Sequence, residues 1–120
     1  METSIAVSVF ESLSSGVRLD IYRLLVREGP DGLVAGEISA QLGVPPTNLS
    51  FHLKGLAQSG LVTVVQEGRY LRYRANHPLV QDLIAYLTAE CCSGHPELCA
   101  PQAQSKRRTS SSAGRALKGR

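Results

Sequence analysis

All three cysteines of this 120-residue chain, Cys91, Cys92 and Cys99, fall within nine residues of one another, so no disulfide can staple distant segments together. The fold must therefore rest on a hydrophobic core. Secreted disulfide scaffolds carry an even number of cysteines spread along the chain, and an odd number in one window marks a site rather than a scaffold. Cys91 and Cys92 are adjacent, which is poor geometry for a mutual disulfide, and closely spaced thiolates suit soft, thiophilic ions. The plainer alternative is that they are small apolar residues at a helix end. The length suits one domain with a modest core and leaves little room for a large enzymatic cleft. No apolar run approaches the roughly 18 residues that a membrane span needs, and the N-terminus lacks the pattern of a secretory leader, so a cytoplasmic, reducing location is expected.

Charge is unevenly divided. Residues 1–99 carry seven Lys/Arg against ten Asp/Glu, whereas residues 100–120 carry six basic groups and no acid. That tail has too few apolar residues to offset the entropy of ordering it and is expected to be disordered. Within the remainder, Lys54, Arg69, Arg72 and Arg74 lie close in sequence with only Glu67 opposing them, the footprint of a polyanion partner.

Apolar spacing predicts five helices and one hairpin. Ile5, Val9, Phe10 and Leu13 mark the first helix. Val17, Ile21, Leu24 and Leu25 mark the second, with Ser15 as its N-cap and Gly29-Pro30-Asp31-Gly32 as its stop. A short third helix runs through Ala35, Ile38 and Leu42. The Val44-Pro45-Pro46 turn follows, with Pro46 suited to the first position of a fourth helix ending near Ser59. On that helix Leu49, Leu53 and Leu56 share one face, Thr47, Phe51, Lys54 and Gln58 the other, with Asn48, Ser50 and His52 on the flanks. A single exposed ring such as Phe51 is ordinary on a protein surface; among polar neighbours it also suits a thymine methyl. Leu61 to Gln66 and Arg69 to Ala75 form a hairpin about Glu67-Gly68, with Arg69 at the tip and Arg72 placed to face phosphate. Leu79, Val80, Leu83, Ile84 and Leu87 give a fifth helix a stripe wider than one small core needs, which points to a partner subunit. Two short helices joined by a tight turn, the second polar-faced and followed by a hairpin, make a winged helix-turn-helix: mainly α, with a β-hairpin wing.

The string from Leu13 to Ile21, together with Asn48-Leu49-Ser50-Phe51-His52-Leu53-Lys54 and Ser59-Gly60-Leu61-Val62, resembles the ArsR/SmtB family of metal-responsive repressors. The resemblance covers roughly residues 5–92. It implies a homodimer, paired through the first and last helices, that binds a palindromic double-stranded operator until an inducer ion releases it. Residues 1–92 would be the DNA-binding and dimerisation domain, residues 91–99 the inducer loop. Thr47, Asn48, Ser50, Phe51 and His52 would read bases, with Lys54 near phosphate. The chain departs from the family at Pro46 and Phe51, where many members carry a longer donor such as Gln or His.

The resemblance also bears on the inducer. Some arsenic-responsive members carry Cys-x-Cys in the helix matching residues 34–43, where this chain has no thiol, and zinc-sensing members pair Asp and His along the last helix, where this chain offers Asp82 alone. The trio Cys91, Cys92 and Cys99 looks like that of members whose ligands sit at the end of the last helix, and implies As(III) or Sb(III) on three thiolates. Three sulfurs suit a trivalent ion with a lone pair; a structural zinc site would need a fourth ligand, from His95 or Glu97. Cadmium, lead or zinc, or thiol oxidation, are the alternatives within a DNA-binding protein. A thiol metal-binding protein with no DNA role is the alternative outside it. An enzyme is not expected: no cysteine is followed by the Arg of a Cys-x5-Arg loop, and no other catalytic motif is present.

Overall fold

A computed structural model of the chain describes residues 1–89. The cysteine trio, His95, Glu97 and the basic tail lie outside the described residues. Met1–Tyr86 forms one compact unit, built from α1 (Thr3–Leu13), α2 (Gly16–Glu28), a 3-10 turn (Gly29–Asp31), β1 (Leu33–Val34), α3 (Ala35–Leu42), α4 (Pro46–Gln58), β2 (Val62–Glu67), β3 (Tyr70–Ala75) and α5, which starts at His77 and runs to Thr88.

The stop signals act where the sequence places them. Ser15 accepts a hydrogen bond from the Arg18 backbone N–H at 3.4 Å and starts α2. Pro46 occupies the first turn of α4, where its missing N–H is no loss. Glu37 Oε1 accepts from the Val34 N–H at 3.0 Å at the start of α3, and Ser39 Oγ donates to the Val44 carbonyl at 2.6 Å, clamping the turn between the two helices. At the far end of α4 the Leu61 N–H reaches the Leu56 carbonyl and the Gly60 N–H that of Ala57. This is a Schellman motif, and it needs the left-handed φ of 84° that Gly60 adopts.

Ile21, Leu25, Ile38, Leu49, Leu53, Leu56, Leu61 and Val9 are the largest fully buried side chains. Each contributes about 1.5–3 kcal/mol by leaving water, and together they fix α4 by three leucines on its inner face. The first helix forms where its apolar spacing predicts it. Ala6, Val9 and Ser12 face the core, while Ile5 and Phe10 stay 44% and 48% exposed, because α1 is apolar around most of its circumference and one small core can cover only one side. His77 is the first residue of α5.

The sheet holds one strand more than the hairpin. Its order is β1-β3-β2 and all pairs are antiparallel. The two-residue β1 pairs Leu33 with Tyr73 and Val34 with Arg72; a segment so short has no period to read in the sequence. Gly32, at φ 62°, lies so close to the Tyr73 carbonyl that a Cβ would collide with it. Burial pushes the Tyr73 phenol above its usual range. Arg69 belongs to the turn, not to the returning strand: Glu67 pairs with Tyr70, leaving Gly68 and Arg69 as a two-residue loop.

Candidate nucleic-acid interface

With Leu49, Leu53 and Leu56 turned inward, α4 presents its other side to solvent. Thr47, Asn48, Ser50 and Lys54 are exposed, Phe51 is 66% exposed, and His52 is half-buried at the edge of the same face. Among the described residues, no ion pair or side-chain hydrogen bond holds Thr47, Asn48, Ser50 or Lys54. Their donors and acceptors are available to a ligand. Such a row of short polar groups with one ring, on a helix braced from behind, has the dimensions to enter a major groove and meet base edges.

His52 is engaged from behind by a residue outside α4. Arg18, in the first turn of α2, donates from Nε to His52 Nδ1 at 3.1 Å. Its guanidinium carbon lies 5.4 Å from the centroid of the Phe51 ring, and the Phe51 and His52 rings meet edge to face at 5.5 Å. The guanidinium occupies the space that a Cβ on Gly55 would fill. Beside this cluster opens a cleft of about 470 Å³, lined in part by Ser8, Glu11, Arg18, Phe51, Lys54 and Gln58. Arg18 is absent from the sequence-based site. Its one clue there is Gly55, a helix-weakening residue amid leucines, which signals close approach by a neighbour.

The wing divides its arginines. Arg69 is exposed at the turn, and no carboxylate holds it among the described residues. Arg72 Nε instead donates to Glu67 Oε1 at 2.8 Å, and its Nη1 donates to the Asp31 carbonyl at 3.1 Å. The Glu67 hydrogen bond is the main cause that raises the Arg72 pKa above its usual range. Arg74 Nε donates to the Pro30 carbonyl at 2.7 Å. Both side chains grip the 3-10 turn, so the phosphate-facing role expected of Arg72 meets a side chain already committed to the fold.

No group of three or more His, Cys, Asp or Glu that could hold a metal ion occurs among the described residues, and the three cysteines are not among them. No helix in this region is long and apolar enough to cross a membrane. Ile5, Val7 and Phe10 give α1 an exposed apolar face, and Thr3 Oγ1 lies 2.8 Å from the Tyr86 hydroxyl, linking α1 to α5.

Comparison with known proteins agrees with this geometry. A family model described as a helix-turn-helix domain matches residues 13–65. The chain is 29% identical over 80 residues to the transcriptional repressor SdpR of Bacillus subtilis strain 168, covering 67% of this chain and 86% of that protein. An ArsR-like transcriptional regulator from Rhodococcus sp. RHA1 superposes with a TM-score of 0.67 at 28% identity, over 80% of this chain and 88% of that one. The homodimeric winged helix-turn-helix DNA-binding domain of Mb0332 from Mycobacterium bovis superposes with a TM-score of 0.59 at 24% identity, over 77% of this chain and 85% of that one, a likeness of fold.

Proposed function

We propose that the chain is an ArsR-family winged helix-turn-helix transcriptional regulator, a homodimeric repressor of a palindromic operator that is released when trivalent arsenic or antimony binds Cys91, Cys92 and Cys99. The helix-turn-helix match over residues 13–65 and the likeness to SdpR and to the ArsR-like regulator support the family reading. The observation that carries the DNA reading is the exposed polar face of α4, where Thr47, Asn48 and Ser50 stand over a fully buried leucine face. Phe51, His52 and Lys54 complete the face, and Arg69 on the wing adds a phosphate contact. Dimer formation is supported by the apolar face that α1 leaves exposed through Ile5, Val7 and Phe10: pairing about a two-fold axis would bury it and set two reading helices at a half-site spacing.

The inducer rests on the chemistry of the donor set. Three thiolates within nine residues match an ion that needs three sulfurs, and soft ligands select soft ions. The cysteines would act on the operator through the dimer rather than by touching DNA. Linkage requires the ion to lower operator affinity by the factor by which operator lowers ion affinity, typically about 1–3 kcal/mol.

Titration of the full-length protein on its own promoter DNA tests both halves. Apo-protein should bind that duplex in preference to random DNA at moderate salt, and arsenite under reducing conditions should release it. Loss of the preference sinks the repressor reading. Release of a Cys99→Ser protein at wild-type arsenite concentrations places the third ligand elsewhere, and release by peroxide but not arsenite makes the trio a redox sensor.

A further inference from the structure

The contact between α2 and the reading helix carries a consequence for what that helix can read. A guanidinium is permanently charged and can only donate, so the 3.1 Å contact from Arg18 Nε makes His52 Nδ1 the acceptor. A neutral imidazole that accepts at one nitrogen carries its proton on the other. The free nitrogen, Nε2, is thereby fixed as a donor. The same guanidinium lies 5.4 Å from the Phe51 ring centroid, and Phe51 packs its ring edge to face with that of His52 at 5.5 Å, so one cation orders two neighbouring side chains of the reading face.

We infer that Arg18 is a positioning residue for DNA recognition: it sets His52 as a donor and holds Phe51 beside it, so that this pair selects a hydrogen-bond acceptor on the nucleic acid. The inference deepens the repressor reading and rests on it. Acceptors of this kind are guanine N7 and O6, adenine N7 and thymine O4 on base edges, or a phosphate oxygen; the amino groups of adenine and cytosine are donors and are disfavoured. Gly55 belongs to the same device. With no side chain of its own it leaves the space in which the guanidinium lies, and a Cβ there would overlap the guanidinium carbon and both terminal nitrogens.

That overlap supplies a test that leaves every groove-facing side chain in place. Gly55→Ala favours the helix and should fold at least as well as wild type, while pushing the flexible end of Arg18 away from His52. Arg18→Gln removes the charge outright. His52→Asn keeps an acceptor near the Nδ1 position but no donor near Nε2. Long-range proton–nitrogen NMR of the His52 ring in the apo-protein should show an unprotonated, hydrogen-bonded Nδ1 and a protonated Nε2. In Gly55→Ala and Arg18→Gln the Nδ1 resonance should move toward that of a free ring.

Duplexes selected from a random pool by the full-length dimer provide the second readout. If His52 meets a base edge, all three variants lose about tenfold preference at one half-site position and keep the others. If it meets phosphate, affinity falls uniformly with an unchanged salt slope, since a neutral donor displaces no counterion. Either pattern supports the inference, and the two patterns separate the acceptors. Wild-type affinity and base preference in Gly55→Ala, or a protonated Nδ1 in the neutral wild-type ring, would overturn it. A wild-type protein with the expected ring signals that prefers no duplex would instead sink the repressor reading, and the DNA part of this inference with it.

Discussion

Helix α4 and the wing both present polar side chains to solvent, yet they treat those side chains in opposite ways. On α4, Thr47, Asn48 and Ser50 are left exposed over a face of buried leucines, while His52 and Phe51 beside them are held from outside the helix by Arg18. On the wing, Arg72 and Arg74 turn inward onto the Asp31 and Pro30 carbonyls and share Glu67, and Arg69 alone remains exposed at the turn. The difference follows from what braces each element. Helix α4 is anchored by Leu49, Leu53 and Leu56, so its outer side chains are spared for a ligand. The hairpin leaves Val64, Val65 and Leu71 about half exposed, has little core to rest on, and uses two of its cations to tie itself to the 3-10 turn.

Removing a reading side chain should break this division most visibly. Asn48→Ala should leave the thermal midpoint unchanged and cost about 1–3 kcal/mol of discrimination at one base position, the worth of a bidentate contact to a base edge. Fluorescence anisotropy on the selected duplex and its single-base variants checks it. An Asn48→Ala protein with full discrimination would move the reading face elsewhere on α4.

The wing's attachment should show in stability instead. At Gly32 a side chain would meet both a left-handed φ of 62° and the Tyr73 carbonyl, so Gly32→Ala should destabilise the fold by ~1–3 kcal/mol. Chemical denaturation measures this directly. A wild-type midpoint would show that the turn has room to shift and that the arginines do not depend on it.

These two regions were not equally legible in the sequence. The leucine face of α4, the Ser15 cap and the Pro46 start follow from local chemistry, which a sequence displays residue by residue. The helical spacing of α1 was legible, but which of its residues face the core was not, because a helix that is apolar most of the way round does not say which side the core covers. Strand β1 and the grip of Arg72 and Arg74 arise from contacts between segments some 40 positions apart, and nothing local to either segment records them. Arg18 escaped for the same reason: its partner His52 is 34 positions away. A count of basic residues therefore overstates the cationic surface that the wing leaves unengaged.

Arg69→Ala should lower affinity for every duplex alike. The plot of log affinity against log salt should flatten by about 0.9, the loss of one phosphate contact. An unchanged slope would remove the wing tip from the backbone.

Arg72→Ala should have the smallest effect on DNA, and it tests the comparison most sharply. If the sequence-based expectation held, losing Arg72 would flatten the salt slope as Arg69→Ala does. In the structure its Nε and Nη1 are taken by Glu67 and the Asp31 carbonyl, and the Glu67 hydrogen bond raises further the pKa of a group that is charged in any case. Its loss should leave the salt slope as in wild type. Without Arg72, Glu67 keeps, among the described residues, only the 4.0 Å contact to Arg74, and the 3-10 turn loses the tie to the Asp31 carbonyl. Amide hydrogen exchange should therefore quicken in β1 and in residues 29–32 while the α4 amides stay protected. Double replacement with Glu67→Gln separates the two roles. If Arg72 serves the fold, Glu67→Gln should produce much of the same exchange change, and adding Arg72→Ala should contribute less than it does alone. A salt slope that falls with Arg72→Ala and is untouched by Glu67→Gln would return Arg72 to the phosphate surface.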